Sequence, residues 1–285
     1  MKKYNKNIPD GAADIIFDKT LYIKKAVEMF RDIYEELDYQ EIMTPVLEYY
    51  DAFNFEGQPI EQESMYKLSD AGGRLLVLRP DNTTPVARVA ATKLSGDFFK
   101  ICYNQSVFRI TGGYSGKRSE IMQSGIEIIG RGGPDTDLYC IETALKVLKA
   151  TGLKFKLEIG YVGYCVPLLF GGAEVLNEAR ILAKNDNKAV EILNYLQELY
   201  DRLNEAGYGE YIIIDLGIVH ELDYYTGLVI GGYIEGIGES VLSGGRYDNL
   251  IAHFGRELPA VGFAANINLI ADALEASGRF GGKNT

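Results

Sequence analysis

Two polar residues stand four apart in an otherwise apolar run, Gln123 and Glu127 in IMQSGIEIIG. Positions four apart in a strand share a face, so an amide and a carboxylate point to one side of a buried sheet. Such a pair can hold a cation or an amine; it can equally close a structural hydrogen-bond network. Asp81 and Thr83, in RPDNTTP just after a short apolar run, add a carboxylate and a hydroxyl that can complete the pocket. Tyr224 and Tyr225, in YYTG, offer aromatic walls with hydroxyl handles. Arg109 in VFRITGG is a lone charge among apolar neighbours. A guanidinium so placed needs a partner, and an anion or carboxylate ligand is one candidate.

Other chemistries lack their residues. No G-x-G-x-x-G opens a helix after a strand, no Walker lysine loop occurs, and neither H-E-x-x-H nor G-x-S-x-G is present. The two histidines, His220 and His253, are too few and too far apart for a triad or a metal site. Cys102, Cys140 and Cys165 lack metal-ligand spacing, and an odd count fits a reducing cytoplasm. No cofactor and no metal are expected. The opening MKKYNKNIPDG is followed by no apolar signal segment, and no run of about 18 apolar residues occurs, so a cytoplasmic protein without a membrane span is expected. The 285 residues carry 29 basic and 40 acidic side chains, a formal charge of −11 that argues against a general grip on nucleic acid. A hydrophobic share of 47% supplies a real core and excludes disorder.

The elements that position these residues follow from periodicity and turn chemistry. Ile23, Val27, Phe30, Tyr34 and Leu37 predict a long amphipathic helix after the Pro9-Asp10-Gly11 turn. The segment from Glu41 to Leu47 reads as extended, with Pro45 suited to an edge. Strands are predicted at Arg74–Leu78, Phe98–Asn104, Ile121–Ile129, Phe155–Ile159, Tyr211–Leu216, Leu228–Tyr233, Glu239–Leu242 and Pro259–Ala264. A helix capped by Thr83 or Thr84, with Pro85 at its first position, is predicted to run to about Leu94, and further helices at Pro134–Ala150 and Asn266–Ala276. From about Pro167 to Gly207 the spacing is helical without strand-like alternation, which reads as a small insertion. Hairpins without regular βαβ alternation predict an α+β fold.

The stretches SMYKLSDAGGRLLVLRPDNTTPVAR, VFRITGGYSGKRSEIMQSGIEIIG, ELDYYTG and GGRYDNLIAHFG with PAVGFA resemble, in this order, the catalytic core of histidyl-tRNA synthetase. The opening IPDG, the long helix and EIMTPVLE are similar to its first, dimer-forming motif. The resemblance covers nearly the whole chain and is carried most specifically by LDYYTG with GGRYD. It implies a class II aminoacyl-tRNA synthetase-like core over residues 1–285, a six-stranded antiparallel sheet flanked by helices, with the insertion at about 167–207. It also implies a histidine pocket. Glu127 would accept from the ligand imidazole, Asp81, Thr83 and Gln123 would meet its ammonium group, and Tyr225 would bond the other ring nitrogen. Tyr224 would line the pocket, and Arg109 is the candidate for the carboxylate.

Departures from the synthetase pattern concern ATP. His220 stands where an activating arginine is expected, and histidine near neutrality is mostly uncharged and shorter. Thr111 replaces the glutamate that helps hold the adenine end. Gly112, Gly113 and Tyr114 replace arginine, proline and glutamine, and Ser119 replaces a further arginine. Leu269 stands at the position of an arginine that clamps the ATP phosphates. Adenylyl transfer rests on positioning and countercharge, so losing these groups together argues against it. Few residues follow the last predicted helix, so no anticodon-binding domain is expected. Within the wider family the chain most resembles the synthetase-like regulatory subunits of ATP phosphoribosyltransferase. That resemblance implies a non-catalytic protein that activates the short-form catalytic subunit and passes on feedback by L-histidine in the first step of histidine biosynthesis. It further implies a homodimer within a hetero-octamer, without tRNA or membrane. The alternatives are a truncated synthetase-like enzyme that adenylates histidine, and a small-molecule-binding protein without such a partner.

Overall fold

The computed structural model describes residues 6–55, 60–111, 117–164, 166, 169–218 and 225–280. The loop 112–116, Cys165 and the segment 219–224, with His220 and Tyr224, lie outside them. Helix α1 (Phe17–Glu36) follows the predicted periodicity, but its fully buried line is Tyr22, Ala26, Phe30 and Tyr34. Ile23, Val27 and Leu37 pack half-buried beside that line.

The extended segment around Pro45 divides into β1 (Gln40–Glu41) and β2 (Leu47–Tyr49). Between them the buried Arg79 guanidinium donates to the Thr44 carbonyl at 2.7 Å and to Gln105 Oε1 at 2.6 Å. The Thr44 amide donates to the same Gln105 oxygen at 2.9 Å. Side chains thus satisfy the backbone where a proline without an N–H takes the chain from one sheet to another. β3 (Lys67–Ser69) and β4 (Leu75–Leu78) form a hairpin, with Gly73 at a left-handed φ of +80° in its turn. These strands make a small sheet in the order β2-β4-β3.

Helix α2 (Thr83–Thr92) starts earlier than expected, and its cap is neither threonine. The Asp81 carboxylate accepts from the Thr84 amide at 2.6 Å and from the Thr84 hydroxyl at 3.0 Å. Pro85 is the third helical residue, still within the turn whose amides need no helical acceptor. The chain continues through β5 (Phe99–Phe108), β6 (Glu120–Ile129), α3 (Pro134–Ala150), β7 (Phe155–Tyr161), β8 (Phe170–Gly171), α4 (Glu174–Ala183), α5 (Asn187–Glu205), β9 (Ile212–Asp215), β10 (Leu228–Ile234), β11 (Leu242–Arg246), β12 (Ala260–Asn266) and α6 (Ile267–Ala276).

The main sheet is mixed and nine-stranded, in the order β1-β5-β6-β12-β11-β10-β7-β9-β8, which corrects the expected six-stranded antiparallel sheet. The strands from β5 to β7 in that order do pair antiparallel. The additions are short edge strands. β1 runs parallel to β5, β9 runs parallel to β7, and β8 pairs antiparallel with β9. A parallel neighbour needs a crossover connection, and α4 and α5 supply it between β7 and β9. The stretch read as purely helical therefore also contains a strand, β8, too short to show alternation. β11 begins later than predicted, at Leu242.

One face of the sheet packs on α1, α3, α4, α5 and α6 through the largest core cluster, to which β6 contributes Ile126 and Ile128. The other carries α2 and a second cluster containing Ile101, Tyr103, Ile129, Tyr225 and Tyr247. Strand alternation places Gln123 and Glu127 on this second face. No helix among the described residues is long and apolar enough to cross a membrane.

Candidate functional site

A narrow cleft of about 50 Å³ lies on the α2 face, over the middle of β6, β12 and β11. Asp81, Thr83, Arg109, Gln123, Glu127 and Tyr225 all line it. Tyr224 falls outside the described residues, so six of the seven side chains expected at the pocket are placed together.

Glu127 is the centre of the cleft, 1% exposed. Across the ladder it pairs with Gly262, and a Cβ on that glycine would lie 1.9 Å from Glu127 Oε2 and 2.3 Å from the Ile126 carbonyl oxygen. Glycine is what lets the carboxylate lie flat on the sheet. Oε1 accepts from Thr83 Oγ1 at 3.0 Å and from the Tyr103 hydroxyl at 3.3 Å. Oε2 accepts from the Tyr247 hydroxyl. Burial pushes the carboxyl from its ordinary 4.5 up to about 8, and the three hydroxyls pull back against that shift. Near neutrality this group exchanges a proton, so it can accept from a ligand or donate to one.

The α2 end of the cleft holds the second carboxylate. Asp81 is buried, and burial raises its carboxyl above the ordinary value against the pull of the Thr84 amide and the Arg109 charge. Arg109 Nε donates to the Pro80 carbonyl at 2.8 Å. Beside Asp81, Asn82 Nδ2 donates to Gln123 Oε1 at 3.1 Å and to the Gln105 carbonyl at 3.3 Å. On the opposite wall the Tyr225 ring packs under Gly245, where a Cβ would lie 2.8 Å from Tyr225 Cδ1. The arrangement combines acceptors at two depths with a guanidinium at the rim, which suits a small zwitterion carrying a second polar group.

The described positions that depart from the synthetase pattern, Thr111, Ser119 and Leu269, carry no charge. The Thr111 hydroxyl donates to the Lys117 carbonyl at 3.2 Å and lies 3.3 Å from Ser119 Oγ. Leu269 packs half-buried against the largest core cluster, its amide held at 3.2 Å by the Asn266 side chain that caps α6. His220 lies outside the described residues. Among the described residues no group of three His, Cys, Asp or Glu side chains can hold a metal ion. Cys102 and Cys140 are buried free thiols.

Sequence reasoning missed Tyr103, Tyr247, Asn82 and Gly262. Tyr247 was within reach, because it belongs to GGRYD. Tyr103 required the register that sets it opposite Gly125, where a Cβ would lie 2.5 Å from its hydroxyl. Gly262 shows its role only once β12 is known to lie beside β6.

An antiparallel sheet centre with a polar cleft on one face and packed helices on the other is the architecture of a class II synthetase-like core. The histidyl-tRNA synthetase family model matches residues 11–170 and 164–270. An ATP phosphoribosyltransferase regulatory subunit of Clostridium acetobutylicum is 40% identical over 96% of this chain and 80% of its own length. Another protein of that name, from Clostridium kluyveri, is 36% identical over 100% of this chain and 86% of its own. The crystal structure of an ATP phosphoribosyltransferase regulatory subunit/histidyl-tRNA synthetase from Bacillus halodurans C matches with a TM-score of 0.87 at 30% identity, over 96% of this chain and 84% of that one. The chain belongs to the histidyl-tRNA synthetase-like family, in its branch of ATP phosphoribosyltransferase regulatory subunits.

Proposed function

We propose that this protein is a non-catalytic regulatory subunit acting in histidine biosynthesis. It binds the short-form catalytic subunit of ATP phosphoribosyltransferase, activates it, and conveys inhibition by L-histidine bound in the cleft. One contrast carries the reading. The cleft keeps acceptors, a guanidinium and tyrosines suited to an amino acid, whereas Thr111 and Leu269 supply no charge for ATP phosphates. Feedback then requires histidine to bind two states of the complex unequally. The synthetase-like core spans residues 1–285, with α4 and α5 as its insertion. A homodimer formed through the first motif is supported by the exposed side chains of Met43 (83%), Leu47 (46%) and Tyr49 (48%). Hetero-octamer assembly in the cytoplasm, without tRNA, completes the proposal.

The test is co-purification with a short-form catalytic subunit, followed by a phosphoribosyl-transfer assay with and without histidine. A complex with raised activity, lowered again by histidine, is the expected result. No complex and no change in activity would overturn the reading. Robust histidine-dependent ATP–pyrophosphate exchange by the protein alone would replace it with an adenylating enzyme.

A further inference from the structure

A second cavity, of about 300 Å³, lies on the helix-bearing face of the sheet. It is enclosed by the segment before α1, the first two turns of α1, the paired ends of β5 and β6, and the start of α6. Its wall is tied together. The Ser119 amide donates to the Gly11 carbonyl at 2.8 Å, and the Thr20 hydroxyl donates to the Ile15 carbonyl at 3.1 Å. Ile15, Ile23 and Met122 give it an apolar lining.

One donor in this wall has nothing to bond. Asn268, 7% exposed, lines the cavity from the first turn of α6. Its Oδ1 accepts from the Met122 amide at 2.8 Å, which fixes the orientation, because a backbone N–H can only donate. Nδ2 therefore takes the other side of the amide, and it has no hydrogen-bond partner among the described residues. The buried side-chain atoms left without a partner are Asn82 Oδ1, Arg88 Nε and Asn104 Oδ1. Asn268 Nδ2 is not one of them, so it keeps accessible surface.

Two cations share the cavity with this amide. Lys24 and Arg118 line it, and neither is in an ion pair among the described residues. Glu120 lines it too, so the charges sum to one positive in a chain whose own charge is −11. A free amide donor and one excess positive charge beside an apolar wall match a molecule with one negative charge and an apolar body.

We propose that this cavity binds a small monocarboxylic acid as its anion. The carboxylate accepts from Asn268 Nδ2 and is drawn by Lys24 and Arg118, and the apolar body lies on Ile15, Ile23 and Met122. The site is separate from the cleft, because Met122 and Gln123 project from opposite faces of β6.

The test is a fluorine NMR titration of the full chain with 4-(trifluoromethyl)benzoate and with its uncharged counterpart, 4-(trifluoromethyl)benzyl alcohol. The unaltered protein is expected to prefer the acid by at least about 10-fold. Asn268→Asp keeps an oxygen for the Met122 amide but sets a negative oxygen where the donor was. It is expected to weaken the acid by at least about 10-fold and to leave the alcohol within about twofold. Lys24→Met, at an exposed position, is expected to weaken the acid alone by about 2- to 5-fold and serves if the aspartate protein does not fold. Glu120→Gln is expected to tighten the acid by a similar factor, where a ligand with an amine would be weakened. Equal weakening of both probes, a preference unchanged by Asn268→Asp and Lys24→Met, or no saturable binding by the unaltered protein would overturn the inference.

Discussion

Two buried carboxylates, one on helix α3 and one on strand β6, are set apart by their partners. Asp137 of α3 faces Arg246 of β11, which contacts it through Nη2 and, at 3.2 Å, through Nε. The Tyr195 hydroxyl donates to the same carboxylate, and Arg246 Nη1 donates to Asp248 at 2.9 Å. Burial works against the Arg246 charge, but the carboxylates of Asp137 and Asp248 outweigh it and hold the guanidinium firmly protonated. Glu127 is as deeply buried, and among the described residues its hydrogen-bond partners are hydroxyls. The ion pair fixes Asp137 in place and pulls against the burial that still raises its carboxyl above the ordinary value. A carboxyl held by hydroxyls stays free to titrate and to answer a ligand. The first arrangement suits a joint between α3, α5 and β11; the second suits a binding site.

The comparison fails if the two groups respond alike to mutation. Arg246→Met leaves Asp137 buried without its countercharge and is expected to destabilise by about 3–5 kcal/mol in urea unfolding. A loss under about 1 kcal/mol would mean that the pair is not a lock. Glu127→Gln tests the other side through pH. The unfolded chain gives up the Glu127 proton near its ordinary 4.5 and the folded chain near 8, so between those values the native state keeps a proton that the unfolded state has lost. Native stability therefore falls as pH rises across that window and levels off above it. The glutamine variant lacks this slope, and its advantage over the unaltered protein is expected to grow from pH 5 to pH 8 by on the order of 3 kcal/mol. Thermal melts at a series of pH values check this, and parallel curves would sink it.

Gly262→Ala forces a methyl group onto Glu127 Oε2 and the Ile126 carbonyl. An expected cost of about 1–3 kcal/mol, together with weaker histidine binding, would tie the glycine to the carboxylate. Tyr103→Phe removes one hydroxyl at 3.3 Å from Glu127 and is expected to cost about 0.5–1.5 kcal/mol. It should also raise the midpoint of the pH-dependent melt, since that hydroxyl favours the ionised form.

The long elements were legible because each carries its own signal. α3 coincides with the predicted Pro134–Ala150 because proline at its first position and glycine just beyond its end mark both limits. β6 was legible from its apolar run, and the shared face of Gln123 and Glu127 from strand geometry alone. β1 and β8, two residues each, have no periodicity to read, so the width of the sheet stayed hidden. The motifs grouped most of the cleft residues, but bonding within the cleft depends on tertiary register. Asp81 looked like a ligand contact until the cap on α2 claimed its oxygens.

The central place of β12 has a consequence for the order in which the chain can fold. This strand lies between β6 and β11, which it follows in sequence, and completes both ladders. Until Ala260–Asn266 is available, β6 and β11 each present an open edge, and Glu127 has no floor. Open edges on a half-built sheet invite pairing with other chains. A product ending before Ala260 is therefore expected to aggregate instead of folding to a smaller version of the protein. The binding cleft is thus assembled only when β12 takes its place between β6 and β11.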